Sequence, residues 1–249
     1  MKHFVYILTF LIGTLGFGQN EALFEQANDL YNKGDFEQAI SKYEAIIDAG
    51  EHSAAVYFNL GNAHYKLNHI APSIYYYEKA LRLSPNDKEI QNNIAFARNM
   101  TIDAIEKVPE IGFSKFTKNV TNWLTFDGWA KLSVVLMLLF IAFYLLFYFN
   151  SGSTKKRMAF VAAMSFLILA FGSVALAFNN YNLVQNDRPA IVFAKESQVK
   201  SEPNLRSTES FKLHEGTKVQ ILDTVNNWKK IKLADGKTGW IPTDAIKAI

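Results

Sequence analysis

Cysteine is absent from the 249 residues, which excludes disulfides, thiolate zinc centres and a cysteine nucleophile. Histidine is scarce. His3, His52, His64, His69 and His214 are scattered, and His64 and His69, five apart, fall about 140° from each other on a helix, so they share no ligand face. A phosphate loop of the Gly-x-x-x-x-Gly-Lys-Ser/Thr kind, a nucleophile elbow and a helical His-Glu-x-x-His pair are all missing. Asp35, Asp87 and Asp235 stand where turns or caps want an aspartate, and no acid–base pair is assigned to them. These absences predict a chain that is not an enzyme and uses no metal or cofactor. A dominant charge sign is missing too. The formal net charge is +3, with 8 basic against 13 acidic residues over 19–109 and 10 against 7 over 189–249, so neither half has the basic patch of a nucleic-acid binder.

What the chain does have is two long apolar runs, residues 132–149 and 158–178, joined by the polar loop 150–157. As helices they would be about 27 and 31 Å long, close to the roughly 30 Å hydrocarbon core of a bilayer. Neither contains an acidic or basic residue, which leaves a proton relay or ion path without a charged candidate group. The pattern predicts a transmembrane hairpin, and a hairpin returns the chain to the side it came from. Residues 1–18 open with a basic start and an apolar stretch and end on small residues at Gly16 and Gly18, as a signal peptide cut after Gly18 would; an uncleaved anchor is the alternative. Lys155, Lys156 and Arg157 favour a cytoplasmic loop, although Lys115, Lys118 and Lys131 nearly balance them. The export signal decides, and both soluble parts are expected in the periplasm of a two-pass inner-membrane protein.

The N-terminal part repeats itself. At an offset of 34, Ala27 falls on Gly61, Tyr31 on Tyr65, Ile40 on Ile74, Tyr43 on Tyr77 and Glu44 on Glu78. Small residues where helices cross, with aromatics between them, indicate helix–turn–helix units that bury a face only by stacking. Tyr57, Leu60, Gly61, Ala63, Tyr65, Tyr77, Ala80 and Pro85 resemble the tetratricopeptide repeat, and Ala27, Gly34, Phe36, Ala39 and Tyr43 supply the preceding unit, which has Glu51 where a closing proline is usual. A third stretch, residues 88–106, with Ile90, Ile94, Ala97 and Ile105 on one side, is expected to cap the stack as a helix. Two repeats and a cap are near the lower limit for a solenoid, so stability is expected to lean on the membrane segment or a partner.

The resemblance implies a concave groove exposing Phe24, Asn28, Tyr31, Phe58, Asn59, Asn62, Tyr65, Lys66 and Phe96 to a protein partner. Tyr31 and Tyr65 packing between helices is the competing reading. Some relatives clamp a peptide carboxylate there. Asn28 and Asn59 match that clamp, but Phe24, Glu89 and Asn93 stand where cations are needed, which argues against it.

Residues 110–131 place Phe113, Phe116, Val120, Trp123 and Leu124 at helical spacing, as in an amphipathic interfacial helix with Trp123 and Trp129 at headgroup depth; a linker helix packed on the repeats is the alternative. In the second apolar run Ala159, Ala163, Ala170, Ser173 and Ala177 form a small-residue stripe suited to close helix packing. Residues 179–188 read as a linker.

From residue 189 the period becomes strand-like, over 190–194, 217–222, 228–233 and 238–241, with Asp235-Gly236 expected as a type I′ turn and Asn226-Asn227 marking the turn before it. Val199 to Pro203, Leu213 to Gly216, the Trp228/Ile231/Leu233 spacing and Asp235 to Ile241 together resemble a bacterial SH3-type domain over 189–249. The resemblance implies a small all-β barrel that binds cell-wall peptide or protein segments. Trp228, Trp240 and Pro242 would form its ligand surface, unless both tryptophans belong to the core.

The expected architecture is therefore a multidomain membrane protein: an all-α repeat domain over 19–109, a two-helix hairpin and an SH3-like barrel. That order, with Gln91 to Arg98 and Thr101 to Ile105, resembles the BatE-type proteins of the Bacteroides aerotolerance operon. This resemblance implies a scaffold partnered by membrane-anchored von Willebrand-type proteins and a MoxR-like ATPase in a stress-related envelope complex. A cell-wall-binding sensor is the alternative.

Overall fold

The structure, a computed structural model, describes residues 20–106, 108 and 112–249. The expected signal peptide over 1–18 lies outside them. The chain forms two units, one comprising the chain up to Lys107 together with Arg188–Ile249, the other Val108–Asp187.

In the first unit the repeats form helices α1 (20–33), α2 (Phe36–Asp48), α3 (Ala54–Lys66), α4 (Ile70–Leu83) and α5 (Lys88–Arg98). Helices α2 and α4 start 34 residues apart, as do α3 and α5. Ser53 caps α3 by accepting from the Val56 amide, and Asp87 caps α5 by accepting from Glu89 and Ile90. Where the first repeat lacks its proline, α2 is closed by Gly50 N–H donating to Ile47 O and Glu51 N–H to Ile46 O. Ala27, Ala39, Tyr43, Ile46, Val56 and Leu60 make one core; Tyr57, Ile74, Tyr77, Ala80, Ile90 and Ile94 make the next.

Helix α5 ends at Arg98 rather than continuing to Glu106. It is the first helix of a third unit that has no second helix. The chain turns at Met100 and Thr101, whose amides donate to Ala97 O and Arg98 O, and residues 103–106 then run without regular structure onto the barrel. Ile105, expected on a helix face, packs instead against the barrel core. Tertiary contacts override the helical spacing because Asp103 and Ile105 find partners on the barrel that a further helical turn would forfeit.

The barrel is a seven-stranded antiparallel sheet of β1 (Pro189–Val192), β2 (Glu196–Lys200), β3 (Glu209–His214), β4 (Lys218–Val225), β5 (Trp228–Lys232), β6 (Thr238–Pro242) and β7 (Ile246–Ala248) in the order β3-β2-β6-β5-β4-β1-β7. Leu213 from one edge and Ile246 from the other enter the same core, so the sheet curls on itself. The turn after β5 is not type I′. Gly236 N–H donates to Leu233 O, and only Gly236 of the three loop residues 234–236 has positive φ, 91°, which is the type I turn with a left-handed third residue.

Repeat stack and barrel share an interior. Ile191 of β1, 0% exposed, belongs to the core of α4 and α5, with Phe193 and Ile249 packed against it. The third unit's missing helix is thus replaced by the barrel's first strand. Where the membrane segment or a partner is expected to support the stack, the packing partner at this end is the barrel.

The second unit contains α6 (Phe113–Thr121), α7 (Phe126–Phe149) and α8 (Ser153–Asn186). The side chains of Phe113, Phe116 and Lys118, on which the expected amphipathic face depends, lie outside the described set. Trp129, expected at headgroup depth, is buried, and its indole donates to Thr121 O at 2.8 Å; Trp123 is exposed. Helix α7 begins at Phe126, capped by Thr125, and so absorbs the end of the expected interfacial segment. Helix α8 is 34 residues, about 51 Å at 1.5 Å per residue, and runs through most of the expected linker because Asn180 donates to Thr121 O and Leu124 O. The loop expected over 150–157 shrinks to 150–152. Ala159, Ala163, Ala170 and Ser173 are buried where α8 packs on α7, and Ser173 donates to Trp129 O; Ala177 is half-buried. Both helices are long and apolar enough to cross a membrane.

Candidate functional site

Three surfaces of the first unit bring functional side chains together. The first is the face of α1, α3 and α5. Here Asn28 Oδ1 accepts from Tyr43 Oη at 2.5 Å and from Asn59 Nδ2 at 2.9 Å. One repeat later, Asn62 Oδ1 accepts from Tyr77 Oη at 2.6 Å and from Asn93 Nδ2 at 2.9 Å. Each asparagine therefore ties the second helix of its own repeat to the first helix of the next. Burial pushes Tyr43 up to about 12, against an opposing hydrogen bond from Asn59, and raises Tyr77 as well, so both hydroxyls stay protonated donors.

This ladder commits one oxygen of Asn28 and Asn62 and one amide of Asn59 and Asn93 to structure. The Nδ2 groups of Asn28 and Asn62 hold no partner among the described residues. Phe24 lies edge-on to Tyr43, Tyr31 edge-on to Phe36, and Phe58 tilts on Tyr77; all three are half-buried, as is Tyr65. Lys66 is exposed, and Phe96, in the row of Asn28 and Asn62 at the 34-residue offset, is 60% exposed. The groove thus offers aromatic edges and paired amides, with its one large uncovered ring on α5.

The second surface is the outward face of β5 and β6. Ile231, Gly239 and Ile241 point into the core, which turns Trp228, Lys230, Trp240 and Pro242 outward. Trp228 pairs across with Pro242 and Lys230 with Trp240, whose other neighbour is Lys200 on β2. Both tryptophans are half-buried and outside the core. Lys230 Nζ lies 6.0 Å from the Trp240 ring centroid, giving the face a cationic border.

The third surface, the junction of stack and barrel, was not visible in the sequence. Asp103 Oδ2 accepts from the His214 amide at 2.7 Å and from Thr217 Oγ1 at 2.6 Å, while Oδ1 lies 2.7 Å from His214 Nδ1. Burial works against the Asp103 carboxylate, but the bonds from Thr217 and His214 outweigh it and hold the group below its ordinary pKa. Glu78, 5% exposed, bridges Arg98 and Lys218, each at 2.7 Å. Arg82 Nη1 donates to Ile249 O at 2.7 Å, and Lys247 Nζ sits 4.7 Å from the Tyr75 ring centroid. Gly216 has φ +85°, and a Cβ there would come within 2.8 Å of Ile70 and of Thr101. Only glycine satisfies both the backbone and the contact.

Next to this junction His64 and His69 meet, contrary to the helical projection. Helix α3 ends at Lys66, so His69 sits at the start of α4, and the two Nδ1 atoms are 3.2 Å apart. His64 stacks on Tyr76, its Nε2 is buried without a partner, and burial, followed by the charges of His69 and Lys247, pushes it down to about 4. Among the described residues no group of three or more His, Asp or Glu is placed to hold a metal ion.

With these surfaces defined, the comparisons with known families divide the same way. The tetratricopeptide repeat family matches residues 24–88 and the bacterial SH3 domain family matches residues 196–247. No curated protein matches the chain. The chain therefore carries a tetratricopeptide repeat region and a bacterial SH3 domain.

Proposed function

We propose that this chain is a non-enzymatic, membrane-anchored adaptor whose groove and barrel face hold protein segments on the extracytoplasmic side. The observation that carries this reading is the sharing of one interior by two binding modules. Such a body presents two recognition surfaces at fixed spacing, which suits bridging. The aromatic and amide groove, with the unpaired Asn28 and Asn62 Nδ2 groups, matches a peptide backbone, which needs donors for its carbonyls and apolar contact for its side chains. The anchor is α7 and α8, whose apolar stretches supply the length a bilayer requires. The finer assignment, to a stress-related complex with von Willebrand-type proteins and a MoxR-like ATPase, rests on the resemblance to BatE-type proteins.

A test uses the full chain in its own membranes. Wild type is expected to co-purify envelope proteins that an Asn62→Asp, Phe96→Ser variant loses; retention of all of them by the variant would remove the groove from the reading. A phosphatase fused after Ile249 should be active and one at Asn150 inactive, and the reverse pattern would overturn the orientation. The outward-turned, half-buried face of Trp228, Trp240 and Pro242 favours a second reading, a sensor that binds cell-wall peptide. Sedimentation of the full chain with purified wall, abolished by Trp240→Ala, would select it over the adaptor.

A further inference from the structure

A pocket of about 480 Å³ opens where the tail of the repeat stack crosses the barrel, a size within the usual range for ligand sites. It belongs to neither the groove nor the tryptophan face. Its apolar lining is Ile105 from the tail with Ala234 and the core residues Val219 and Leu233 from the barrel, and its cationic residues are Arg98, Lys218 and Lys232.

The charges around it are unbalanced. Glu78 fixes Arg98 and Lys218, yet their side chains stay 45% and 46% exposed, so the carboxylate positions them without shielding them. Asp103, the acidic residue in the lining, has both oxygens occupied by His214 and Thr217. Three cations against two carboxylates leave one positive charge. A monoanion balances it, whereas a phosphate dianion would over-compensate. Among the described residues no aromatic ring lines the pocket to stack a base, and the aliphatic lining favours an aliphatic body.

We propose that the junction pocket binds the free carboxyl terminus of a protein segment ending in small aliphatic residues. Arg98 and Lys232 meet the carboxylate, and Ile105 and Ala234, which lie over the buried Val219 and Leu233, receive the terminal side chain. The carboxylate clamp that the repeat groove lacks the cations to form is thereby assembled from both modules. It exists only while the tail is docked, so occupancy and docking favour each other.

The test is titration of the full chain in lipid nanodiscs with N-acetyl-Ala-Leu bearing a free carboxylate, read by calorimetry. The amide of the same dipeptide should bind about tenfold more weakly, since it loses the ionic contact. Lys232→Ala should weaken the acid by a similar factor, and Lys33→Ala, on the exposed face of α1 and outside the pocket lining, should leave it unchanged. Equal binding of acid and amide, no binding of the acid at 10 mM (about 2.7 kcal/mol of free energy by the affinity relation), or an unaltered Lys232→Ala variant would each overturn the proposal. N-acetyl-D-Ala-D-Ala serves as a further arm: if it binds more tightly than the L-peptide, the ligand is a wall peptide and the assignment to a protein terminus fails.

Discussion

The repeat stack and the barrel solve the same problem in opposite ways. The stack buries Tyr43, Tyr77, Ile46 and Ile94 between helices and leaves its last helix half-covered; the barrel closes around Val199, Ile231 and Ile241 but leaves Ile191 pointing out of its own core. Each exposes what the other lacks. A module matched as a family over part of a chain therefore need not be a separate folding unit, and here the exchange of Ile191 for Ile105 makes the two interdependent. The α7–α8 hairpin is the contrasting case. Among the described residues the first unit exposes six large apolar side chains, the second twenty-five. Those twenty-five side chains are not covered by any described residue of the second unit, and covering them is what the proposed bilayer would do.

The strongest way to break the interdependence is Ile191→Ala. Removing a fully buried Ile side chain costs about 3 kcal/mol, and because Ile191 packs on α4 and α5, the loss should appear in the repeats as well as in the barrel. Hydrogen exchange of the full chain should show faster exchange over Ile70–Leu83 and Lys88–Arg98 together with β1. Faster exchange confined to the barrel would show that the modules merely touch.

Acid should produce a loss of similar size near the same junction. His64 is held neutral with its pKa lowered to about 4, so between its ordinary value and about 4 the unfolded chain binds the extra proton and the folded chain does not. The stability present above pH 6.5 should therefore fall as pH drops, by about 2 kcal/mol at pH 5, and level off below about 4. His64→Gln, which cannot charge, should flatten that slope. An equally steep slope in the variant would assign the acid sensitivity to other groups. Asp103, with its lowered pKa, adds a loss only at still lower pH, where its carboxylate is protonated.

Gly216→Ala tests the contact without removing any apolar surface. The added methyl meets Ile70 and Thr101 and must sit on a left-handed backbone, together about 2 kcal/mol. The measurement is again exchange protection of α4 and of β4, which should fall in parallel. Loss at β4 alone would place the cost in the turn and not in the docking.

How far the sequence announced this arrangement depends on how local each signal is. The 34-residue period is carried by neighbouring helices, and the starts of α2, α4, α3 and α5 follow it. Strands β2, β3 and β7 were missed because short polar segments such as 196–200 turn only Ser197 and Val199 inward. The tail was read as helix because Ile105 kept the helical spacing, and the spacing carries no sign of Asp103's partners more than 100 residues away. Trp228 and Trp240 alternate with Ile231 and Ile241, and that alternation could have separated outer face from core, a choice the sequence reading left open. The groove asparagines were assigned to a ligand, yet their structural half was legible: Asn28 with Asn62, Asn59 with Asn93 and Tyr43 with Tyr77 all recur at 34 residues.

That ladder gives the smallest expected effect and the finest test of the comparison. Tyr43→Phe and Tyr77→Phe each delete one hydroxyl that donates to an asparagine oxygen, at about 1 kcal/mol apiece. Chemically the two are the same change. Tyr43 lies in the core of the first repeat, whereas Tyr77 shares its cluster with Ile191. If the barrel braces the stack, Tyr77→Phe should also speed exchange in β1, and Tyr43→Phe should leave β1 untouched. A double-mutant cycle of each tyrosine with Ile191→Ala puts a number on it: coupling of about 0.5 kcal/mol or more for Tyr77 and none for Tyr43. Equal coupling in both would mean that the stack behaves as one rigid body and that the bracing is not confined to the repeat the barrel touches.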